Sequence, residues 1–143
     1  MRNKKPLIAI VDDDESVCRA LERLVRSLGM TAETYTGGAD FMEQLEALPG
    51  FRPDCVILDV QMSGMNGIEV QSRLRRAHQN IPVVFITAHD DRNAQERAMA
   101  GGAVAFLRKP CNDALIIRTL EAALKCRATE QQPDSPATEK NQS

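Results

Sequence analysis

Five short apolar runs, each followed by a longer stretch with helical spacing, recur along the chain, and this alternation limits its fold more than any other feature. Leu7 to Val11 is unbroken apolar sequence. A strand that is hydrophobic at successive positions must be covered on both faces, as strands inside a parallel sheet are. Val17, Leu21, Leu24, Val25 and Leu28 then follow helical spacing up to Gly29, a C-terminal stop. Thr31 to Tyr35 alternates weakly as a second strand. Past the Gly37-Gly38 turn, Phe41, Leu45 and Leu48 line one face of a second helix that Pro49-Gly50 ends. Cys55 to Leu58 is a third strand, and the loop Ser63 to Gly67 leads to a helix carrying Ile68, Val70 and Leu74. Val83 to Ile86 is a fourth strand, followed by a helix over Asp91 to Ala100 that stops at Gly101-Gly102. Ala103 to Leu107 is the fifth, and Asn112 or Asp113 caps a last helix carrying Leu115, Ile116, Leu120 and Leu124. Repeated βα units imply a doubly wound α/β fold: a five-stranded parallel sheet, helices on both faces, right-handed crossovers.

Residues 1–127 therefore read as one domain. From Ala128 to Ser143 the chain turns polar, carries Pro133 and Pro136 and has almost nothing to bury, which predicts a disordered tail or a linker. The chain then reads as a single-domain protein or as one piece of a longer one. With 43% hydrophobic and 27% charged residues, the composition is that of a globular domain, and a net charge of -2 gives no pull toward nucleic acid or an anionic membrane. No apolar run reaches bilayer length and no secretory signal opens the chain, so a cytoplasmic location is expected. The four cysteines, Cys18, Cys55, Cys111 and Cys126, form no C-x-x-C pair. Cys18 and Cys55 fall in apolar patterns, where a free thiol serves as a small hydrophobe.

In open parallel sheets, ligands bind beyond the carboxyl ends of the strands. Four of the five strands here end in polar residues: Asp12, Asp13 and Asp14 after the first, Asp59 after the third, Thr87 after the fourth and Lys109 after the fifth. The flavodoxin-like strand order 2-1-3-4-5 sets strands 1, 3, 4 and 5 side by side and gathers these groups in one crevice. Clustered carboxylates repel unless a cation shares the site, and hard oxygen ligands suit Mg²⁺. An ammonium and a hydroxyl beside them are placed to hold the oxygens of a transferred phosphoryl group. A carboxylate is a recognised nucleophile for such a transfer. Singly, each group has an ordinary role: Asp14 as a helix cap, Thr87 as a loop hydroxyl, Lys109 as a surface charge. Their joint placement at successive strand ends argues for a site.

Four blocks carry a resemblance: Val11-Asp12-Asp13-Asp14-Glu15, Leu58-Asp59-Val60-Gln61-Met62-Ser63-Gly64-Met65-Asn66-Gly67, Ile86-Thr87-Ala88 and Phe106-Leu107-Arg108-Lys109-Pro110. In order and spacing they resemble the signature of the receiver domains of bacterial two-component response regulators, over residues 6 to 126. The resemblance implies that Asp59 is the phosphoacceptor and that Asp13 ligates Mg²⁺ directly, with Asp12 acting through water. It implies further that the backbone carbonyl of Gln61 completes the ligands and that Thr87 and Lys109 contact phosphoryl oxygens. Thr87 and Phe106 would form the switch, and the Lys109–Pro110 bond would be cis. It also implies a sensor histidine kinase or phosphotransfer protein as donor. An effector domain or a second copy would be engaged through the face of helix 4, strand 5 and helix 5. Such a domain is a phosphoacceptor that promotes its own phosphorylation and dephosphorylation rather than an enzyme in the ordinary sense.

The chain departs from the family pattern at Ser63, where proline is usual, and at Cys111, where an aromatic is common. The first departure predicts a less rigid loop after Asp59, the second looser packing near the signalling face. Three other readings compete. A haloacid-dehalogenase-type phosphatase needs an acid two residues after its nucleophile, and Gln61 stands there. A pseudo-receiver would not need Asp12, Asp13, Asp59, Thr87 and Lys109 together. A flavodoxin-like redox protein would stack aromatics on its flavin, and the chain has one Tyr and no Trp.

Overall fold

The computed structural model describes residues 5–77 and 79–130. Its elements alternate without exception: β1 (Leu7–Val11), α1 (Glu15–Ser27), β2 (Thr31–Tyr35), α2 (Gly38–Ala47), β3 (Cys55–Leu58), α3 (Gly67–Arg76), β4 (Val83–Thr87), α4 (Arg92–Ala100), β5 (Ala105–Arg108) and α5 (Asp113–Glu130). The strands form one sheet in the order β2-β1-β3-β4-β5, all parallel. Both the doubly wound class and the expected order hold.

Period-two geometry explains why β1 and β3, and β4 as far as Ile86, are unbroken apolar sequence, whereas the edge strand β2 (Thr31–Tyr35) carries polar residues. Ala9, Val11, Val56, Leu58, Val83 and Phe85 enter the core under α2, α3 and α4. Their neighbours Ile8, Ile10, Cys55, Ile57, Val84 and Ile86 enter the other, under α1 and α5. Successive side chains point to opposite faces, so a strand covered on both sides has no position left for a polar residue. At the carboxyl ends of β1 and β3 the chain leaves the two cores one residue past the strand, at Asp12 and Asp59, whereas at β4 the polar group, Thr87, is the last strand residue itself.

The boundaries differ from the sequence expectation in four places. Leu48, expected on the buried face of α2, is 51% exposed. The helix ends at Ala47, and the extended backbone of Leu48 (φ -123°, ψ 91°) turns its side chain outward. Strand 5 starts at Ala105 rather than Ala103, because Gly102 (φ 97°) and the two residues after it are used in swinging the chain from α4 onto the sheet. Asp91 is the N-cap of α4 rather than its first residue, its carboxylate accepting from Ala94 N–H at 3.0 Å. The last helix continues to Glu130, beyond the change of composition at Ala128, since Ala128, Thr129 and Glu130 offer no glycine or proline to stop it. The rest of the expected tail, 131–143, lies outside the described residues. Asn112, not Asp113, caps α5, accepting from Leu115 N–H at 2.8 Å.

Candidate functional site

The backbone ladder runs one residue past three strands and thereby fixes the residues of the crevice. Asp12 N–H donates to Tyr35 O at 3.0 Å, Asp59 N–H to Val11 O at 3.0 Å, and Lys109 N–H to Thr87 O at 2.8 Å. Each of these backbones is as firmly held as the strand before it, while its side chain reaches past the sheet edge. The Lys109–Pro110 bond is cis, as the resemblance implies. Asp14 plays the ordinary role weighed for it, capping α1 by accepting from Ser16 N–H at 2.9 Å. Gly67 begins α3 directly beneath the site. A Cβ there would collide with the Asp59 carbonyl, so only glycine permits this approach of helix to strand end.

The side chains at the ends of β1, β3 and β5 converge. Asp12, Asp13 and Asp59 offer carboxylate oxygens that all lie within 4.8 Å of one another. The Lys109 ammonium donates to Asp12 Oδ2 at 2.8 Å and to Asp59 Oδ2 at 3.3 Å. Asp12 and Asp59 are buried, and Asp13 is exposed. Burial raises the Asp12 carboxyl above its ordinary 3.8, and the charge of Asp59 adds to this against the hydrogen bonds from Lys109 and from Asp14 N–H. Burial pulls the Lys109 ammonium down, but its hydrogen bond to Asp12 and the charges of Asp59 and Asp12 outweigh this and hold it above 10.5. One cation thus serves two buried anions, overcompensated itself and leaving Asp12 undercompensated.

The unmet charge has a definite location. Asp59 Oδ1 is buried with no hydrogen-bond partner among the described residues. An orphaned, buried carboxylate oxygen beside two further carboxylates fits a hard divalent cation, with or without an electrophile bringing its own positive centre. These groups open on a cleft of about 510 Å³, lined also by Asp14, Gln61, Met62, Ser63, Ala88 and His89. Gln61 therefore lines the cleft, and its backbone carbonyl as a metal ligand stays part of the proposal.

Thr87 is fully buried at the end of β4 and is not among the described residues lining the cleft. Its Oγ1 accepts instead from His89 N–H at 3.3 Å. Phe106 is half-buried, packing on the core under α4 with its ring centroid 5.7 Å from that of Phe85. His89 was not singled out from the sequence, although it stands two residues past a strand end, where the same positional rule applies. At Ser63, the departure from proline has a visible consequence. Its backbone N–H, which proline lacks, donates to Asp13 Oδ2 at 3.4 Å. Cys111 packs on the core under α1 and α5 and lines a groove of about 310 Å³ with Val17, Leu21, Leu24 and Ile116. The smaller side chain thus bears on the α1 side of the molecule rather than on α4.

Comparison with known proteins agrees with this geometry. Residues 8–121 match the response regulator receiver domain family. Over 136 residues the chain is 35% identical to the response regulator protein TodT of Pseudomonas putida, covering 95% of this chain and 58% of that one. It is 34% identical to the DNA-binding transcriptional regulator NtrC of Escherichia coli over 130 residues, 91% of this chain and 27% of that one. It thus spans little more than half of the first relative and about a quarter of the second. Among solved structures, a response regulator receiver protein from Burkholderia phymatum superposes with a TM-score of 0.76 at 60% identity, over 85% of this chain and 96% of that one. The response regulator StyR gives 0.80 at 40% identity, over 90% of this chain and 63% of that one. Strand order, the acidic crevice with its lysine, and these similarities converge: the chain belongs to the receiver domain family of two-component response regulators.

Proposed function

We propose that the chain accepts a phosphoryl group on Asp59 from a sensor histidine kinase or phosphotransfer protein, in the presence of Mg²⁺, and transmits this to its α4–β5–α5 face. The observation that carries the reading is Asp59 itself: buried at the cleft, one oxygen held by Lys109 and the other without a hydrogen-bond partner among the described residues. A carboxylate oxygen attacks phosphorus. The bond from phosphorus to the donor nitrogen breaks, and the donor imidazole leaves with the electron pair and takes up a proton. Asp12, Asp13, Asp59 and the backbone carbonyl of Gln61 would hold Mg²⁺, which when bound neutralises charge on the phosphoryl oxygens. Lys109, already between Asp12 and Asp59, supplies a fixed positive charge to the same oxygens. The Thr87 hydroxyl must turn from His89 N–H to reach a phosphoryl oxygen, which frees the loop leading into α4 and space near Phe106. Two states close in free energy would then be rebalanced rather than one being rebuilt.

The domain is read as 1–127 with a linker or tail after it, acting in the cytoplasm on an effector domain or on a second copy of itself. In its resting state it is expected to be a monomer. Incubation with acetyl phosphate and Mg²⁺ should add one acid-labile phosphoryl group by intact mass. Asp59→Asn should add none, because an amide is a poor nucleophile. Equal labelling of parent and variant would remove Asp59 from its role.

A further inference from the structure

Helices α3 and α4 meet across a largely apolar seam that contains a buried amide unused by the phosphoryl chemistry. Gln71 is only 4% exposed, and its Nε2 donates to the carbonyl of Ala98 at 2.9 Å. That carbonyl is in the last turn of α4, where helix carbonyls lack partners in their own helix. It also accepts from Ala103 N–H at 3.1 Å, so two donors fasten it. Gly101 adjoins the same amide. A Cβ there would lie 2.8–2.9 Å from the Gln71 amide atoms, although the backbone of Gly101 (φ -80°, ψ 0°) is open to any residue. A side chain at this position would push the Gln71 amide, the end of a flexible side chain, off its place.

The opposite end of α4 is held loosely. Asp91 accepts from Ala94 N–H within its own first turn. Ala88, His89 and Asp90 are exposed, and the Arg108–Asp90 pair at 3.4 Å is exposed on both sides, where such pairs contribute little. Along its nine residues the helix buries only Ala94 and Ala98. With so little apolar anchorage, the polar contact at the C-terminal turn decides which end stays in place.

We propose that Gln71 is a positioning residue, the fixed pivot of α4. It pins the C-terminal turn to α3, so that the response to a group on Asp59 is taken up at 88–96. The stimulus in this inference rests on the receiver reading; the anchoring does not. The test compares the full chain with Gln71→Met, which keeps length and loses the donor, and with Gly101→Ala, which keeps the amide and crowds it. Native-state hydrogen exchange at Gly101, Gly102 and Ala103 should quicken at least tenfold in both variants, beyond any change in β1 and β3. With Mg²⁺ and beryllofluoride, amide shifts of the parent should move mainly over 88–96, and in the variants over 98–103 as well. If Gln71→Met does not fold, Gly101→Ala carries both readings. Exchange at 101–103 rising no more than in β1 would overturn the pivot, as would a parent response as large at 98–103 as at 88–96. A parent spectrum indifferent to beryllofluoride would instead count against the receiver reading, and the exchange data would still decide the anchor.

Discussion

At the residue scale the site is an unbalanced charge cluster, and its members are separable by experiment. Removing the Lys109 ammonium leaves Asp12 and Asp59 buried and facing each other. Lys109→Met should therefore lower metal-free stability by about 1–3 kcal/mol, the range for loss of a charged hydrogen-bond partner, read as a fall in urea midpoint at neutral pH. An unchanged midpoint would mean the two carboxylates are not coupled through the lysine. The thiols give a pH signature elsewhere. Burial, with the charge of Asp54 adding to it, pushes Cys55 up to about 12 from its ordinary 9.0. Burial likewise raises Tyr35 to about 12 from 10.0 and Cys18 to about 11 from 9.0. A raised native value stabilises the fold below the unfolded value, and that stability is lost as pH rises through the native one. The urea midpoint should fall progressively from pH 9 to 12, and less steeply in Cys55→Val; equal slopes would exclude Cys55 from the effect.

At the scale of elements, loop chemistry decides whether a strand end becomes a site. Asn112 caps α5 immediately after the segment that delivers Lys109. Asn112→Ala should cost about 1 kcal/mol, as N-cap removal generally does, measurable as a lower melting temperature with phosphoryl uptake retained. Gly67 is the more demanding position, since a methyl there meets the backbone of Asp59 itself. Gly67→Ala should destabilise the fold by about 3 kcal/mol, the scale of severe overpacking, and slow phosphorylation beyond what the stability loss explains. A variant melting with the parent would show that α3 can slide away from β3 freely.

For the whole molecule, the metal is the simplest probe. Folding brings Asp12, Asp13 and Asp59 together, and the unfolded chain does not, so the proposed Mg²⁺ would bind the native state preferentially. At a tenfold excess over its dissociation constant the linkage is about 1.4 kcal/mol. Thermal melts should rise with millimolar Mg²⁺ in the parent, whereas Asp13→Ala should be more stable than the parent without metal and respond little to it. Melts of the parent that do not move would refute the metal site. No helix among the described residues is long and apolar enough to cross a membrane. The regulators it resembles, TodT and NtrC, are longer than the matched region, which motivates the proposal of an effector linked to the α4–β5–α5 face.

Hydropathy period and turn residues were enough to read five βα units, the parallel sheet and the polar strand ends, because burial on one or two faces is written into each segment separately. Their positions at strand ends placed Asp12, Asp13, Asp59, Thr87 and Lys109 in one crevice, and the structure gathers all but Thr87 at the cleft itself. What packing alone decided involves partners far apart in the chain. Lys109 lies 2.8 Å from Asp12 and 3.3 Å from Asp59 across separations of 97 and 50 residues, and no local pattern fixes which carboxylate it favours. The same holds for the Asp59 Oδ1 left without a partner among the described residues and for Gln71 reaching Ala98. Each depends on how two finished elements dock, and a free energy of docking has no signature in the spacing of either sequence.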